Sequence, residues 1–202
     1  MVDFEGFYRG GQLVEGVPNN GVPWDIGAPQ PVVVAWEAAG RFRGHVLDAG
    51  CGTGDNALFL ASQGHQVTGV DIAPTAIEIA RSRGGGVEWV VGSTFTGEFG
   101  TVLASALFHC LPPGERPGLM VALRDVAADG ALLNLTSLAV EGGPFAVTEA
   151  ELRSALTGAG WEITRFEQDV IILTGVDGVP ELPVWVVEAT AASRGACAAT
   201  TP

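Results

Sequence analysis

No lysine occurs in the 202 residues; all ten basic residues are arginines. That excludes chemistry built on a lysine amine, whether a Schiff base or the P-loop lysine that grips a nucleotide phosphate. Against 23 acidic residues the arginines leave a formal net charge of -13. Nucleic acid and anionic membrane surfaces are therefore not expected as partners, because binding there runs on clustered Lys and Arg. Three cysteines, Cys51, Cys110 and Cys197, are too few and too irregularly spaced for a disulfide framework or a zinc site, and no metal is expected. No basic stretch followed by an apolar run opens the chain, and no apolar run approaches the ~20 residues of a membrane span. The chain reads as cytoplasmic.

Strand and helix signals alternate from His45 onward. Strands are predicted at Val46–Ala49, Gln66–Val70, Val87–Val91, Thr101–Ser105 and Ala131–Thr136, with closing runs at Trp161–Val170 and Val184–Glu188. Helices are predicted at Asp55–Gln63, from Pro74 to about Arg83, from Pro112 to about Ala127, and at Glu149–Thr157 behind a Thr148–Glu151 capping box. The fold class is α/β: a single doubly wound, Rossmann-like sheet of seven strands, mostly parallel, with an antiparallel edge strand. Residues 1–40 form an N-terminal strap and short helix, 41–190 the core, and 191–202 a disordered tail.

The stretch VLDAGCGTGD, residues 46–55, leaves the first strand where ligands bind a doubly wound sheet, outside the carboxyl ends of the strands. A dinucleotide fingerprint would need glycine at position 55, and the residue is Asp55, a poor neighbour for a pyrophosphate. The pattern D-x-G-x-G-x-G with Asp71 at the second strand tip suits S-adenosylmethionine. That molecule has no phosphate but carries an ammonium, a carboxylate, a sulfonium and a ribose diol. Asp48 complements the ammonium, Gly50, Gly52 and Gly54 admit close backbone approach, and Asp71 accepts from the ribose hydroxyls. A tight turn without ligand is the other reading of the glycines taken alone.

VLDAGCGTGDNALFLASQGHQVTGVDIAPTAIEIAR resembles the cofactor-binding half of class I S-adenosylmethionine-dependent methyltransferases. VPWDIGAPQP, SALFHCLPPGER and the closing WEITRFEQDV resemble the small-molecule group of thiopurine and tellurite-resistance type. The resemblance assigns Asp48, Gly50, Gly52 and Gly54 to the first motif and Asp71 with Ile72 to the ribose-binding second. It places Ser93 and Thr94 where an adenine-binding acid usually stands, and Ser105 at the tip of the fourth strand. Acids are also absent at Gly100 and Ala104. Trp24 either folds over the methionine part as a lid or anchors the strap; Tyr8, Gln30 and Phe108 are expected at the acceptor, plain core being the other reading of Tyr8 and Phe108.

His109, just after the fourth strand, is the candidate general base, its other reading being a residue that packs or caps the loop. Cys51 reads as a buried space-filler. The implied function is methyl transfer to a small molecule through a phenolic or quinone-derived hydroxyl, a thiol or a similar soft nucleophile. The missing acids motivate the alternative of a cofactor-binding protein with little turnover.

Overall fold

The computed structural model describes residues 2–13, 15–143, 145–174 and 181–194. Two helices precede the sheet, α1 (Phe4–Tyr8) and α2 (Pro31–Ala38). The core then runs β1 (Val46–Ala49), α3 (Asp55–Ser62), β2 (Val67–Asp71), α4 (Pro74–Ser82), β3 (Glu88–Val91) and β4 (Phe99–Ser105). It ends with α5 (Arg116–Val126), β5 (Ala127–Leu138), α6 (Glu149–Gly158), β6 (Trp161–Ile172) and β7 (Glu181–Ala191). One seven-stranded sheet has the order β3-β2-β1-β4-β5-β7-β6.

The neighbouring pairs among β1–β5 are parallel, and β7 is antiparallel to both β5 and β6. The reversed strand thus lies one place inside the edge, and edge strand β6 meets it antiparallel.

Successive strand side chains point to opposite faces, so a strand buried on both sides reads as a continuous apolar run. In β1, Val46 enters a core with Trp36, Ala57 and Leu60 from α2 and α3. Its neighbour Leu47 enters the opposite core, with Leu119, Leu123, Leu152 and Leu156 from α5 and α6. No helix among the described residues is long and apolar enough to cross a membrane.

Four boundaries differ from expectation. The Pro112–Pro113 pair precedes α5 rather than opening it; Phe108–Cys110 makes a 3-10 turn and the helix starts at Arg116 with Pro117 in its first turn. Proline disfavours helical conformation in the residue before it, so Pro113 and Pro117 leave Pro112 and Arg116 outside or at the rim of a helix. The strand β5 follows α5 without a loop. A one-turn helix, α1, forms in the strap, its first turn capped by Asp3, which accepts from the Gly6 amide at 2.8 Å. Ala191 closes β7 instead of opening a tail, and Arg194 donates to the carbonyls of Asp125 and Ala127. The remainder of the expected tail, 195–202, lies outside the described residues.

Arg116 fastens the loops above β4 and β5. Only 1% exposed, it donates from Nε to the Leu111 carbonyl at 3.0 Å and from Nη1 to the Ala146 carbonyl at 3.0 Å and to Glu151 Oε1 at 2.8 Å. Replacing it strands three carbonyls, that of His109 included, whereas Glu151 retains access to water. We expect Arg116→Met to destabilise the protein by about 3–5 kcal/mol and Glu151→Gln by much less, read from urea unfolding midpoints.

Candidate functional site

The chain turns from β1 into α3 through Gly50, Gly52 and Gly54, all in the left-handed region with φ of 70°, 53° and 90°. Each also faces a close neighbour. A Cβ on Gly50 would stand 2.8 Å from Leu107, and one on Gly54 only 2.5 Å from the Trp89 ring. On Gly52 it would stand 2.9 Å from the Tyr8 hydroxyl. The first and third glycines are thus demanded by packing from β4's loop and from β3, and the second by the strap.

Asp71 fixes the loop from below: its carboxylate accepts from the amides of Gly52 at 2.8 Å and Ala73 at 2.9 Å. Burial raises its pKa and those amides offset part of the rise. Asp48 is 1% exposed, and its Oδ2 has no hydrogen-bond partner. Burial, then the Asp71 charge, push its carboxyl up to about 7, against the lowering effect of the Ala57 amide.

The strap closes over this loop. Trp24 packs against Phe7, Phe4 and Tyr8 with ring centroids 5.5, 6.3 and 6.4 Å away. Its Nε1 donates to the Tyr8 hydroxyl at 3.2 Å. Thr53, inside the glycine loop, donates to Asp25 at 2.8 Å, and Thr174 donates to the Pro23 and Asp25 carbonyls at 2.6 and 3.0 Å. Trp24 therefore anchors the strap and also stands at the loop.

Three expected roles need correction. Gln30 is not an acceptor contact: its amide donates to the Ile172 carbonyl at 3.2 Å and accepts from the Ile172 amide at 3.3 Å, clasping the strap to β6. Phe108 is fully buried in the core on the α5 side, beneath the Arg116 guanidinium, and lines no acceptor space. His109 is not placed as a base. Its Nδ1 accepts from the Leu138 amide at 3.1 Å, which uses the one lone pair of a neutral ring protonated at Nε2. Burial, reinforced by Arg116, pushes its pKa down to about 3. It packs and caps, as the second sequence reading has it.

The remaining residues stand at or beside the strand tips. Ile72 is an exposed apolar side chain just beyond β2, and Ser93 and Thr94 are exposed beyond β3. Ser105 at the tip of β4 lies 3.4 Å from the Thr136 hydroxyl. Cys51 and Cys110 are half-buried thiols, both raised in pKa by burial, Cys110 to about 12, which disfavours the thiolate at neutral pH.

Sequence reasoning missed Ala106, the one non-glycine with positive φ (59°) among the described residues, which is held by its amide on Thr136 at 3.0 Å. It missed the Thr53–Asp25 latch as well. Backbone strain at a strand tip leaves no trace in residue type; the latch had the signal of a threonine and an aspartate at a glycine loop and a lid.

The residues fit S-adenosylmethionine: an orphaned buried carboxylate oxygen awaits a donor, bare backbone lies next to it, and a second acid stands at the neighbouring tip. Asp48 and His109 also set opposing pH dependences. Native His109 stays neutral below the 6.5 of a free imidazole, so its contribution is lost as pH falls from there towards 3. Native Asp48 keeps its proton above the 3.8 of a free carboxyl, so its contribution is lost as pH rises through about 7. In the cofactor-free protein, Asp48→Asn should raise the urea midpoint above pH 7. It should also make stability climb with pH between about 4 and 6.5 more steeply than in the wild type.

With this geometry in place, similarity to known proteins bears on the site. A family model of the methyltransferase domain matches residues 46–130. The 2-heptyl-1-hydroxyquinolin-4(1H)-one methyltransferase of Mycobacteroides abscessus is 39% identical over 153 residues, covering 67% of this chain and 66% of that protein. A probable thiol methyltransferase of Arabidopsis thaliana is 25% identical over 183 residues, covering 83% and 81%. A solved structure described as "Conversion of a Disulfide Bond into a Thioacetal Group during Echinomycin Biosynthesis" superposes with a TM-score of 0.80 at 30% identity, covering 95% of this chain and 92% of that one. The fold is shared with that structure over nearly its whole length, and the chain belongs to the class I S-adenosylmethionine-dependent methyltransferases.

Proposed function

We propose that the protein methylates a small molecule at an acidic hydroxyl, such as an N-hydroxyl or phenol, or at a thiol, and that the acceptor arrives already ionised. The observation that carries this reading is the occupied Nδ1 of His109, which leaves the ring without a free lone pair in its neutral form. Two relatives support it, one named for a 1-hydroxyquinolone and one for thiols, both of which ionise without strong help.

When bound, the cofactor supplies an electrophilic methyl on a sulfonium whose departure is neutral, so the protein's task is positioning and water exclusion. Asp71 takes the ribose diol with the carboxylate lone pairs that Gly52 and Ala73 leave free. Asp48 answers the ammonium, which relieves its unpartnered oxygen. Ile72 offers an apolar face to adenine, and Ser93 with Thr94 offers neutral hydrogen-bonding groups beside it. Trp24 and the strap exclude water from above.

Asp71→Asn keeps one acceptor oxygen for the loop and should weaken S-adenosylmethionine binding by about 1.5–3 kcal/mol in calorimetric titration. Unchanged affinity in a folded variant would remove Asp71 from the site. Across a panel of phenols and N-hydroxy compounds, kcat/KM should rise with pH at midpoints that follow each acceptor's own pKa, and His109→Gln should keep that pattern. A midpoint common to all acceptors and lost in His109→Gln would restore the histidine as base.

A further inference from the structure

We propose that the Tyr8 hydroxyl binds the carboxylate of the cofactor's methionine part, a role that rests on reading the glycine loop as the S-adenosylmethionine site. The problem it answers is one of charge. S-adenosylmethionine carries a carboxylate, and the loop it must approach is ringed by Asp25, Asp48, Asp55 and Asp71. Lysine is absent from the chain, and the arginines nearest the loop are committed. Arg9, next to Tyr8, pairs with Glu5, Arg83 donates to the Thr53 carbonyl and pairs with Asp55, Arg81 donates to the Trp89 carbonyl, and Arg116 is buried among carbonyls. A neutral donor has to receive the anion.

Tyr8 is such a donor. Its oxygen accepts from Trp24 Nε1, which orients the hydroxyl, while its own proton meets no acceptor among the described residues. The hydroxyl stands over the middle glycine, 2.9 Å from where a Cβ on Gly52 would lie. The ring is fixed before any ligand arrives by Phe7 at 6.0 Å and Trp24 at 6.4 Å between centroids. Burial, with the Asp71 charge adding to it, raises the phenol's pKa, so the proton stays available for donation at neutral pH. A hydrogen bond from a neutral donor to a carboxylate is of the stronger, charge-assisted kind. Tyr8 thereby leaves the acceptor side, where the sequence placed it, and joins the cofactor side.

The test compares S-adenosylmethionine with its decarboxylated analogue, which differs only in lacking the carboxylate, by calorimetric titration of wild type and Tyr8→Phe. Tyr8→Phe should weaken S-adenosylmethionine by about 10- to 100-fold and the analogue by less than about 3-fold. Trp24→Phe, which removes the bond orienting the hydroxyl, should discriminate in the same sense but less. Near-ultraviolet circular dichroism of the Trp24 cluster verifies that the strap remains folded in Tyr8→Phe. Equal weakening of both ligands with the strap folded, or unchanged S-adenosylmethionine affinity, would overturn the carboxylate role and leave the cofactor reading standing. A wild type that binds neither ligand would overturn both.

Discussion

The space a Cβ would take on Gly50, Gly52 or Gly54 is already filled by a neighbour, and the rest of the site follows from that confinement. Leu107 presses on it from the β4 loop, Trp89 from β3 and Tyr8 from the strap, while Asp71 holds the Gly52 amide. Three separate parts of the chain therefore meet on five residues. A side chain on any of the three glycines would displace one of them as well as strain the turn. Close packing makes the loop rigid, and rigidity sets two carboxylates at fixed places on adjacent strand tips.

That arrangement has a cost in stability, and it falls on Asp48. A carboxyl buried with one oxygen unpartnered is disfavoured as an anion, and its raised pKa measures how strongly. Ala106 adds backbone strain just beyond β4, the strand next to that of Asp48. Both features are tolerated because the sheet beneath is buried on two faces and held by independent cores. Around them Arg116 satisfies the carbonyls of the loops above the sheet, and His109 gives its lone pair to the Leu138 amide. A histidine placed at a strand tip thus serves the architecture, while at the glycine loop Asp48 Oδ2 and the Tyr8 proton are left without a partner among the described residues.

The alternation of strands and helices, the glycine loop and both acids were legible in the sequence, because each rests on local rules. An apolar run such as Val46–Ala49 is a strand buried on both faces, and glycines mark left-handed turns. Thr148 caps α6 as its spacing with Glu151 predicts. Helix α5 was misplaced at its start, because two prolines signal both a helix opening and a restriction on the residue before, and the distinction depends on where Arg116 finds carbonyls.

Roles of the flanking residues were not local properties. Gln30, Phe108 and His109 lie near one another's expected site in sequence pattern, yet each has its hydrogen bonds or its volume claimed by a segment far along the chain: Ile172 for Gln30, the α5 core for Phe108, Leu138 for His109. The sequence pattern of Tyr8 carries no sign that the strap brings its hydroxyl over Gly52. The sequence by itself determined the sheet, its switch point and the chemistry of the cofactor, since these follow from side-chain period, backbone freedom and the spacing of charge. Only the tertiary structure decided which polar groups remain free, because a donor or acceptor is available only after every distant partner has taken its share.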